Sequence, residues 1–442
     1  MLKSEDVLAL IQQRDVRFIR LWFTDLVGGL KSFAIAPDEM NNALANGMGF
    51  DGSSITGFSA VHEADMVALP DPSTFQILPY RPTGESSVAR MICDIRVPGG
   101  QPYEGDPRYV LRRAIARAND MGFDHFYVGP ELEFFYFRDD RGTEVLDRGG
   151  YFDLTTLDAA SDLRRDTVMA LEAMGIDIAY SHHEGSPSQH EIDMRYGDAL
   201  DMADNVMTYR TIVKEVAHQH GCYATFMPKP LVGHNGSGMH THMSLFRGET
   251  NAFHDPDDPL SLSAEGRSFI AGILRHAAEL SCVFAQWVNS YKRLLPGFEA
   301  PVYVGWSRRN RSAIARVPGH HPERAEAARV ELRCPDPACN PYLTFAALLH
   351  AGLEGIEHGY QLPPEMEQNL YELTAEERRR TGIESLPQNL GEAIELAAAS
   401  ELLLNCLGEH IHQALVDLKR AEWEEYRCQV TAWELERYLP RL

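Results

Sequence analysis

Cysteine is scarce in this chain of 442 residues: there are seven, at positions 93, 222, 282, 334, 339, 406 and 428, and no two form a C-x-x-C pair. An odd, scattered set argues against a disulfide framework or a zinc ribbon and suits a reducing compartment. No apolar run approaches the roughly 18 residues of a membrane span. The opening Met1-Leu2-Lys3-Ser4-Glu5-Asp6 is charged at once and lacks the apolar core of a signal peptide, so a cytoplasmic location is expected. Positive charge is also short, with 41 Lys and Arg against 64 Asp and Glu, a net of −23. Phosphate backbones and anionic lipid repel such a chain, which argues against nucleic-acid and membrane partners. An anionic small substrate stays open, because local arginines or bound cations invert the field of a cleft. Glycine-loop nucleotide signatures are missing too. There is no G-x-x-x-x-G-K-[ST], and Gly233-His-Asn-Gly-Ser-Gly-Met239 does not fit G-x-G-x-x-G.

The remaining composition, 44% hydrophobic and 24% charged, is that of a globular protein. The length suggests two or three domains, or one small domain beside a large one. A breaker cluster, Val97-Pro-Gly-Gly-Gln-Pro102, places a boundary near residue 102, giving domains 1–102 and 103–442. Before it lie an amphipathic start, Ser4 to Gln13, and alternating segments such as Phe18 to Phe23. After it, Asp106-Pro107 predicts an N-cap and first helical position for a helix to about Asp120. Farther on, Val206, Tyr209, Val213 and Val216 mark a helix ended by Gly221. Thr374-x-x-Glu377 reads as a capping box, and Glu392 to about Tyr426 as mostly helical.

Polar residues at i, i+2 in strand-like sequence carry the chemistry. Glu131 and Glu133 share one face of Tyr127–Phe137, as do His240, His242 and Ser244 in Gly238–Leu245, and Arg329, Glu331 and Arg333 in Ala328–Cys334. His182-His-Glu-Gly-Ser-Pro-Ser-Gln-His-Glu-Ile192 reads as strand, tight loop, strand, with Glu184 and Glu191 flanking the turn. Any one pair alone reads as the solvated face of a sheet. If all four faces line one cavity, Glu131, Glu133, Glu184, Glu191 and Glu331 meet there, which is prohibitive without cations. Oxygen ligands with imidazole and no thiolate suit Mg²⁺ or Mn²⁺, and the nearby arginines suit phosphate or carboxylate. Together they indicate phosphoryl transfer from a nucleotide.

Eight blocks in order resemble type I glutamine synthetase over nearly the whole chain. They are Phe50-Asp-Gly-Ser-Ser-Ile55, Gly129-Pro-Glu-Leu-Glu-Phe134, His182-His-Glu…Gln189-His-Glu191 and Phe226-Met-Pro-Lys-Pro230. They continue with Asn235-Gly-Ser-Gly-Met-His-Thr-His-Met-Ser-Leu245, Asn289-Ser-Tyr-Lys-Arg-Leu294, Asn310-Arg-Ser312 and Asn340-Pro-Tyr342. The length and the step from Glu184 to Glu191 resemble the shorter alpha subtype. The resemblance implies an α+β fold: a small β-grasp-like N-terminal domain, then a large catalytic domain with an open antiparallel β-barrel flanked by helices. It also implies a homo-oligomer of two stacked hexamers, a dodecamer.

By the same resemblance, Glu133, Glu184 and Glu191 hold one cation and Glu131, His240 and Glu331 another, with two or three Mg²⁺ or Mn²⁺ per site. Asn235, Gly236, Arg293 and Arg333 bind glutamate. Tyr196, His242, Ser244, Arg311, Arg316 and Arg329 serve ATP, with Arg311 and Arg316 on the migrating phosphoryl group. Asp51, Ser54, Tyr151, Glu184 and Glu299 form an ammonium pocket. In it Asp51 is the base, and Glu299 lies in a lid, Pro296-Gly-Phe-Glu-Ala-Pro301. Three positions depart from the family pattern: Ala179 and Glu326 at the nucleotide site, and Ala60 where an arginine linked to glutamine feedback is usual. Tyr371 aligns with an adenylylation tyrosine of the longer subtype, while the alpha-like length favours an exposed structural tyrosine. The implied activity is ATP-dependent ligation of glutamate and ammonium through γ-glutamyl phosphate. The alternatives are ligation of glutamate to a polyamine or ethanolamine, against which the intact ammonium set argues, and an inactive structural or regulatory paralogue.

Overall fold

The computed structural model describes residues 2–58, 65–80, 86–154, 156–298, 300–319, 321, 324–368, 370–380 and 382–442. Ala60 and Glu299 lie outside the described residues.

The N-terminal part opens with α1 (Ser4–Gln13), whose buried face is Val7 and Ile11, as its amphipathic pattern predicts. Strands β1 (Val16–Thr24), β2 (Leu30–Ile35), β3 (Met48–Asp51), β4 (Asp65–Pro70), β5 (Gln76–Ile77) and β6 (Ser87–Arg96), with α2 (Met40–Asn46), complete it. The sheet order is β2-β1-β6-β4-β3, with β5 also on β6. The first and last long strands, β1 and β6, pair parallel at the centre. A core of Val7, Ile19, Leu21, Phe23, Met66, Ala89 and Met91, among others, lies under this sheet.

The larger part begins at α3 (Pro107–Asp120), where Asp106 caps the first turn by accepting the Arg108 N–H at 3.0 Å. Its sheet is built from β7 (His125–Phe137), β8 (Ile178–His183), β9 (Gln189–Met194), β10 (Gly197–Asp198), β11 (Tyr223–Thr225), β12 (Met239–Arg247), β13 (Thr250–Asn251), β14 (Tyr303–Ser307), β15 (Ala313–Arg316) and β16 (Val330–Leu332). The order is β14-β15-β16-β12-β7-β9-β8, antiparallel throughout except for the β14–β15 pair. Proline inside the central strand β7 is tolerated because Pro130 falls where pairing with β9 has ended and pairing with β10 has not begun.

Helices pack around this open sheet: α4 (Ser161–Ala173), α5 (Ala199–Gln219), α6 (Ala264–Phe284), the short α7 (Ser290–Arg293), α8 (Pro341–Glu357), α9 (Ala375–Arg380), α10 (Leu390–Ala398), α11 (Glu401–Leu407), α12 (Glu409–Arg427) and α13 (Ala432–Tyr438). The capping box before α9 is present, with Glu377 N–H donating to Thr374 Oγ1 at 3.2 Å and Thr374 N–H to Glu377 Oε2 at 2.7 Å. Helices α6 and α8 approach closely through glycine, since a Cβ on Gly272 would lie 2.1 Å from the Ala351 carbonyl oxygen. The expected architecture is therefore the observed one: a small sheet domain, then an open antiparallel sheet flanked by helices.

Two expectations need correction. The segment predicted as one strand face, Arg329–Arg333, is strand only over Val330–Leu332. It is short because β15, its partner on one side, pairs only as far as Leu332 and Glu331, and Pro335, without an N–H, follows soon after. Tyr371 is not exposed: it is half-buried, its hydroxyl donates to the Ala300 carbonyl at 3.1 Å, and its ring packs near Tyr303. No described helix is long and apolar enough to cross a membrane.

The two parts are joined by polar contacts. Asn340, before α8, accepts the Tyr342 N–H at 3.1 Å as N-cap, while its Nδ2 donates to the Asp25 and Leu26 carbonyls at 3.1 and 3.0 Å. Arg108 pairs with Asp94 and Asp71 of the first part and Asp204 of α5.

Candidate active site

Strand alternation sorts the polar and apolar residues of the central strands. In β7, Leu132 and Phe134 enter the core while Glu131 and Glu133 turn the other way. In β12, Met239, Thr241 and Met243 are buried and His240 and His242 face the carboxylates. Register brings them together, with His240 opposite Glu131, His242 opposite Glu331 and Glu133 opposite Glu191. The tight turn between β8 and β9 adds Glu184, whose backbone N–H donates to the Gln189 carbonyl at 2.8 Å.

The result is a chamber of about 250 Å³ lined by Glu131, Glu133, Glu184, Glu191, His240 and Glu331, with Asn235, Gly236, Tyr151, Arg293, Arg311, Arg316 and Arg333. Every sequence-predicted metal and glutamate residue is in it. A second, larger chamber of about 1010 Å³ holds Tyr196, His242, Ser244 and Arg329, together with Ala179 and Glu326. Tyr127 and Phe246 give it an aromatic wall with Tyr196. Gly129 belongs there for space, because a Cβ at that position would lie 3.2 Å from Tyr196 Cβ. Glu131 and Tyr180 line both chambers. Of the nucleotide residues expected in one set, Arg311 and Arg316 therefore fall on the acidic side and the others on the aromatic side.

Asp51 and Ser54 are not brought into this chamber: both are exposed on the first domain, and Asp51 Oδ1 accepts the Ser53 N–H at 2.8 Å. The Ser53 side chain, then this backbone bond, holds the Asp51 carboxyl below its ordinary pKa. Tyr151 does line the chamber, edge-on to His182 at 5.3 Å between ring centroids.

The carboxylates divide electrostatically into two groups. Burial works against ionisation of Glu131, but hydrogen bonds from His240 and His242 outweigh it and hold the carboxyl well below the usual range. Glu331 is likewise buried, and His242, His240, Arg333 and Arg316 hold it down. It lies 2.8 Å from Arg333 and 2.5 Å from Arg316. Glu133 and Glu191 shift the other way. Burial, then Glu184, raises Glu133, and burial, then Asp193 and Glu133, raises Glu191. Like charges packed in a buried space are what a divalent cation relieves, and an oxygen-rich set with one imidazole is the donor chemistry of Mg²⁺ or Mn²⁺. The donors present fit such ions.

The two histidines separate by their partners. His242 accepts the Arg329 Nε–H at Nδ1, 3.1 Å, and meets Glu131 Oε1 through Nε2 at 2.8 Å, so both ring nitrogens are engaged. His240 has Nδ1 at 3.4 Å from Glu131 and 3.9 Å from Glu331, and Nε2 at 4.0 Å from Glu133, a position between all three carboxylates. Arg293 lines the chamber, yet its terminal nitrogens donate to the Arg333, Cys334 and Pro335 carbonyls at 2.7–3.1 Å, which ties down the segment bearing Arg333.

Sequence reasoning passed over several lining residues. Tyr180 and His182 share the alternating face that leads to Glu184, and Asp193 follows Glu191 by two, so the period-2 rule could have found them. Gln189 was within a recognised block without a role. Behind this wall, fully buried His183 meets Asp147 at 3.0 Å and the Glu184 carbonyl at 2.7 Å. Arg164 bonds His190 and Asp158, both at 2.8 Å. The His183–Asp147 and Arg164–His190 contacts span 36 and 26 residues, separations that no local pattern reveals.

Comparison with known proteins settles the kinship. The family model described as the glutamine synthetase catalytic domain matches residues 104–438, and the glutamine synthetase β-grasp domain matches residues 15–98. The chain belongs to the glutamine synthetase family. It is 56% identical over 442 residues to a glutamine synthetase of Mycolicibacterium smegmatis, covering 99% of both chains. It is 50% identical over 439 residues to that of Thermotoga maritima, covering 98% of this chain and 99% of the other. Among solved structures, a GmaS–ADP complex superposes with a TM-score of 0.89 at 32% identity, covering 98% and 99%. Glutamine synthetase of Plasmodium falciparum superposes with a TM-score of 0.89 at 26% identity, covering 99% of each chain.

Proposed function

We propose that the acidic chamber is the reaction site of an ATP-dependent glutamate–ammonia ligase, which forms glutamine through γ-glutamyl phosphate. The observation that carries this reading is the shared wall. Glu131 borders both the carboxylate chamber and the aromatic one, so a nucleotide in the second points its phosphates into the first. Residues 1–102 serve as the N-terminal domain and 103–442 as the catalytic domain.

Tyr196 stacks on adenine, with Ser244, His242 and Arg329 beside the nucleotide; ADP is named in the structure of the similar GmaS protein. Arg333, Arg293, Asn235 and Gly236 orient glutamate so that its side-chain carboxylate faces the γ-phosphorus in line. Glu133, Glu184 and Glu191 would hold one divalent cation and Glu131, His240 and Glu331 another. Bound there, such ions draw charge from the phosphoryl oxygens. Arg311 and Arg316 stabilise the negative charge that moves with the phosphoryl group. Tyr151 and Glu184 line the ammonium pocket, and Glu299 follows Phe298 of the same chamber in sequence. Asp51, exposed on the first domain, completes the pocket of a neighbouring subunit, takes a proton from ammonium and leaves ammonia as the nucleophile. The working assembly is then a cytoplasmic homo-oligomer, a dodecamer of two stacked hexamers.

The test is phosphate and product release from glutamate and ATP with Mg²⁺, comparing ammonium, putrescine, spermine and ethanolamine. Turnover with ammonium as the preferred amine is expected. Turnover with a polyamine or ethanolamine and none with ammonium would overturn the reading.

A further inference from the structure

Lys229 belongs to Phe226-Met-Pro-Lys-Pro230, a motif to which the reaction above gives no part. Its backbone is gripped on both sides by one side chain: the Lys229 N–H donates to Asn289 Oδ1 at 2.7 Å, and Asn289 Nδ2 donates to the Lys229 carbonyl at 3.1 Å. From this fixed base the side chain makes two contacts. Nζ donates to the carbonyl of His234, the residue before Asn235, and it stands 3.8 Å from the centroid of the Phe298 ring. Asn235 and Phe298 both line the acidic chamber. Lys229 therefore links the loop assigned to glutamate with the segment that carries Phe298. Leu295, Pro296 and Gly297 before Phe298 are exposed, and Gly297 has φ +92°, a left-handed conformation that permits a sharp reversal. An ammonium over the face of an aromatic ring is attracted by the ring quadrupole, more strongly where water is partly excluded.

We propose that Lys229 is a positioning residue that latches Phe298 over the reaction site and so keeps water from the acyl phosphate. This rests on the ligase reading. Without the latch, a water oxygen adds to the γ-carbonyl carbon of γ-glutamyl phosphate and the carbonyl C–O bond to the phosphoryl oxygen breaks. Phosphate leaves with the electron pair, and the displaced proton passes to solvent. Glutamate is regenerated, and one ATP is consumed with no glutamine formed.

The measurement is the ratio of phosphate released to glutamine made, at saturating glutamate, ATP and ammonium. Lys229→Met should raise the phosphate released in excess of glutamine roughly two- to thirtyfold, the range that the loss of such a contact corresponds to. Lys229→Arg, which keeps a cation over the ring, should restore a ratio near that of the wild type. Phe298→Leu should leak as Lys229→Met does, and the double variant should leak no more than either single one. Gel filtration confirms that each variant assembles, and Phe298→Leu tests the latch even if Lys229→Met does not fold. A wild-type ratio in Lys229→Met and Phe298→Leu refutes the latch. An unchanged ratio with both products reduced in step also refutes it, assigning Lys229 to the His234 loop alone. A wild type that makes no glutamine from ammonium fails the ligase reading instead, and the ratio is then read with whichever amine it accepts.

Discussion

Gln189 holds Glu133: its Nε2 donates to Glu133 Oε2 at 3.0 Å and also to the Gly236 carbonyl at 3.1 Å. One buried amide thus joins a carboxylate assigned to a cation with the loop assigned to glutamate. Gln189→Leu keeps the volume and removes the donor. Outer partners of metal ligands typically contribute 10–100-fold in affinity, so Mn²⁺ binding to the variant should weaken by about that factor. The KM for glutamate should rise with it. Titration followed by electron paramagnetic resonance reads the first effect, and unaltered Mn²⁺ affinity would show that the bond does not orient Glu133.

The position of Asp51 makes a prediction about assembly. It is exposed on the first domain, away from the residues that line the chamber. Asp51→Asn and Arg333→Ala subunits should each be nearly inactive alone. Co-assembled at random in closed rings, roughly a quarter of the junctions pair an intact Asp51 with an intact Arg333, and a corresponding share of activity should return. Hybrids no more active than the two parents mixed after separate purification would place the whole site within one chain.

Stability should depend on pH through Asp106. It accepts N–H bonds from Ile95 and Arg108 at 2.9 and 3.0 Å, while burial, then Asp94, pushes its carboxyl up to about 7. In the unfolded chain it titrates near the ordinary value of about 3.9. Between these values the folded form keeps a proton that the unfolded form releases. The contribution is therefore complete below about pH 4 and lost as pH rises through about 7. Asp106→Asn still offers an acceptor but does not titrate. The wild type should lose up to about 3 kcal/mol relative to it between pH 4.5 and 8, at about 1.36 kcal/mol per pKa unit. Urea unfolding checks this, and parallel pH profiles would contradict it.

The α6–α8 contact has no room for a methyl group. A Cβ on Gly355 would stand 2.1 Å from the Ser268 carbonyl oxygen and 2.8 Å from Gly272 Cα. Gly355→Ala should destabilise by about 1–3 kcal/mol, as overpacking does, while turnover per folded molecule stays the same. Thermal unfolding with active-site titration separates the two. A variant as stable as the wild type would mean that the helices can part without cost.

What could be read from the sequence was what alternation and capping encode locally. Within each strand, Glu131 with Glu133 and His240 with His242 were assignable to one face because strand period alone decides it, whereas register between strands brings them together; α1 and α3 ended where their patterns ended. Asn340-Pro-Tyr342 shows the limit. It was recognisable as a block, but its work is to cap α8 and to hold the Asp25 and Leu26 carbonyls, contacts more than 300 residues apart in sequence. The division of labour between His240 and His242 came only from the family resemblance; its physical basis, Arg329 bonding His242, is a contact across 87 residues that alternation does not encode. Asp193 continues the Glu191 face in the alternation Glu191-Ile192-Asp193-Met194, a signal that the period of two carries although β9 is buried throughout.

The wall shared by the two chambers also has a use in inhibitor design. Glu131 and Tyr180 border both, so the two chambers are adjacent, one side chain apart. A tethered molecule with a purine at one end and a phosphorylated glutamate mimic at the other could fill both chambers through a linker of a few atoms. Its second half would then bind at the high effective concentration that a short tether gives. Selectivity over other purine-binding proteins would come from the half that needs the carboxylates.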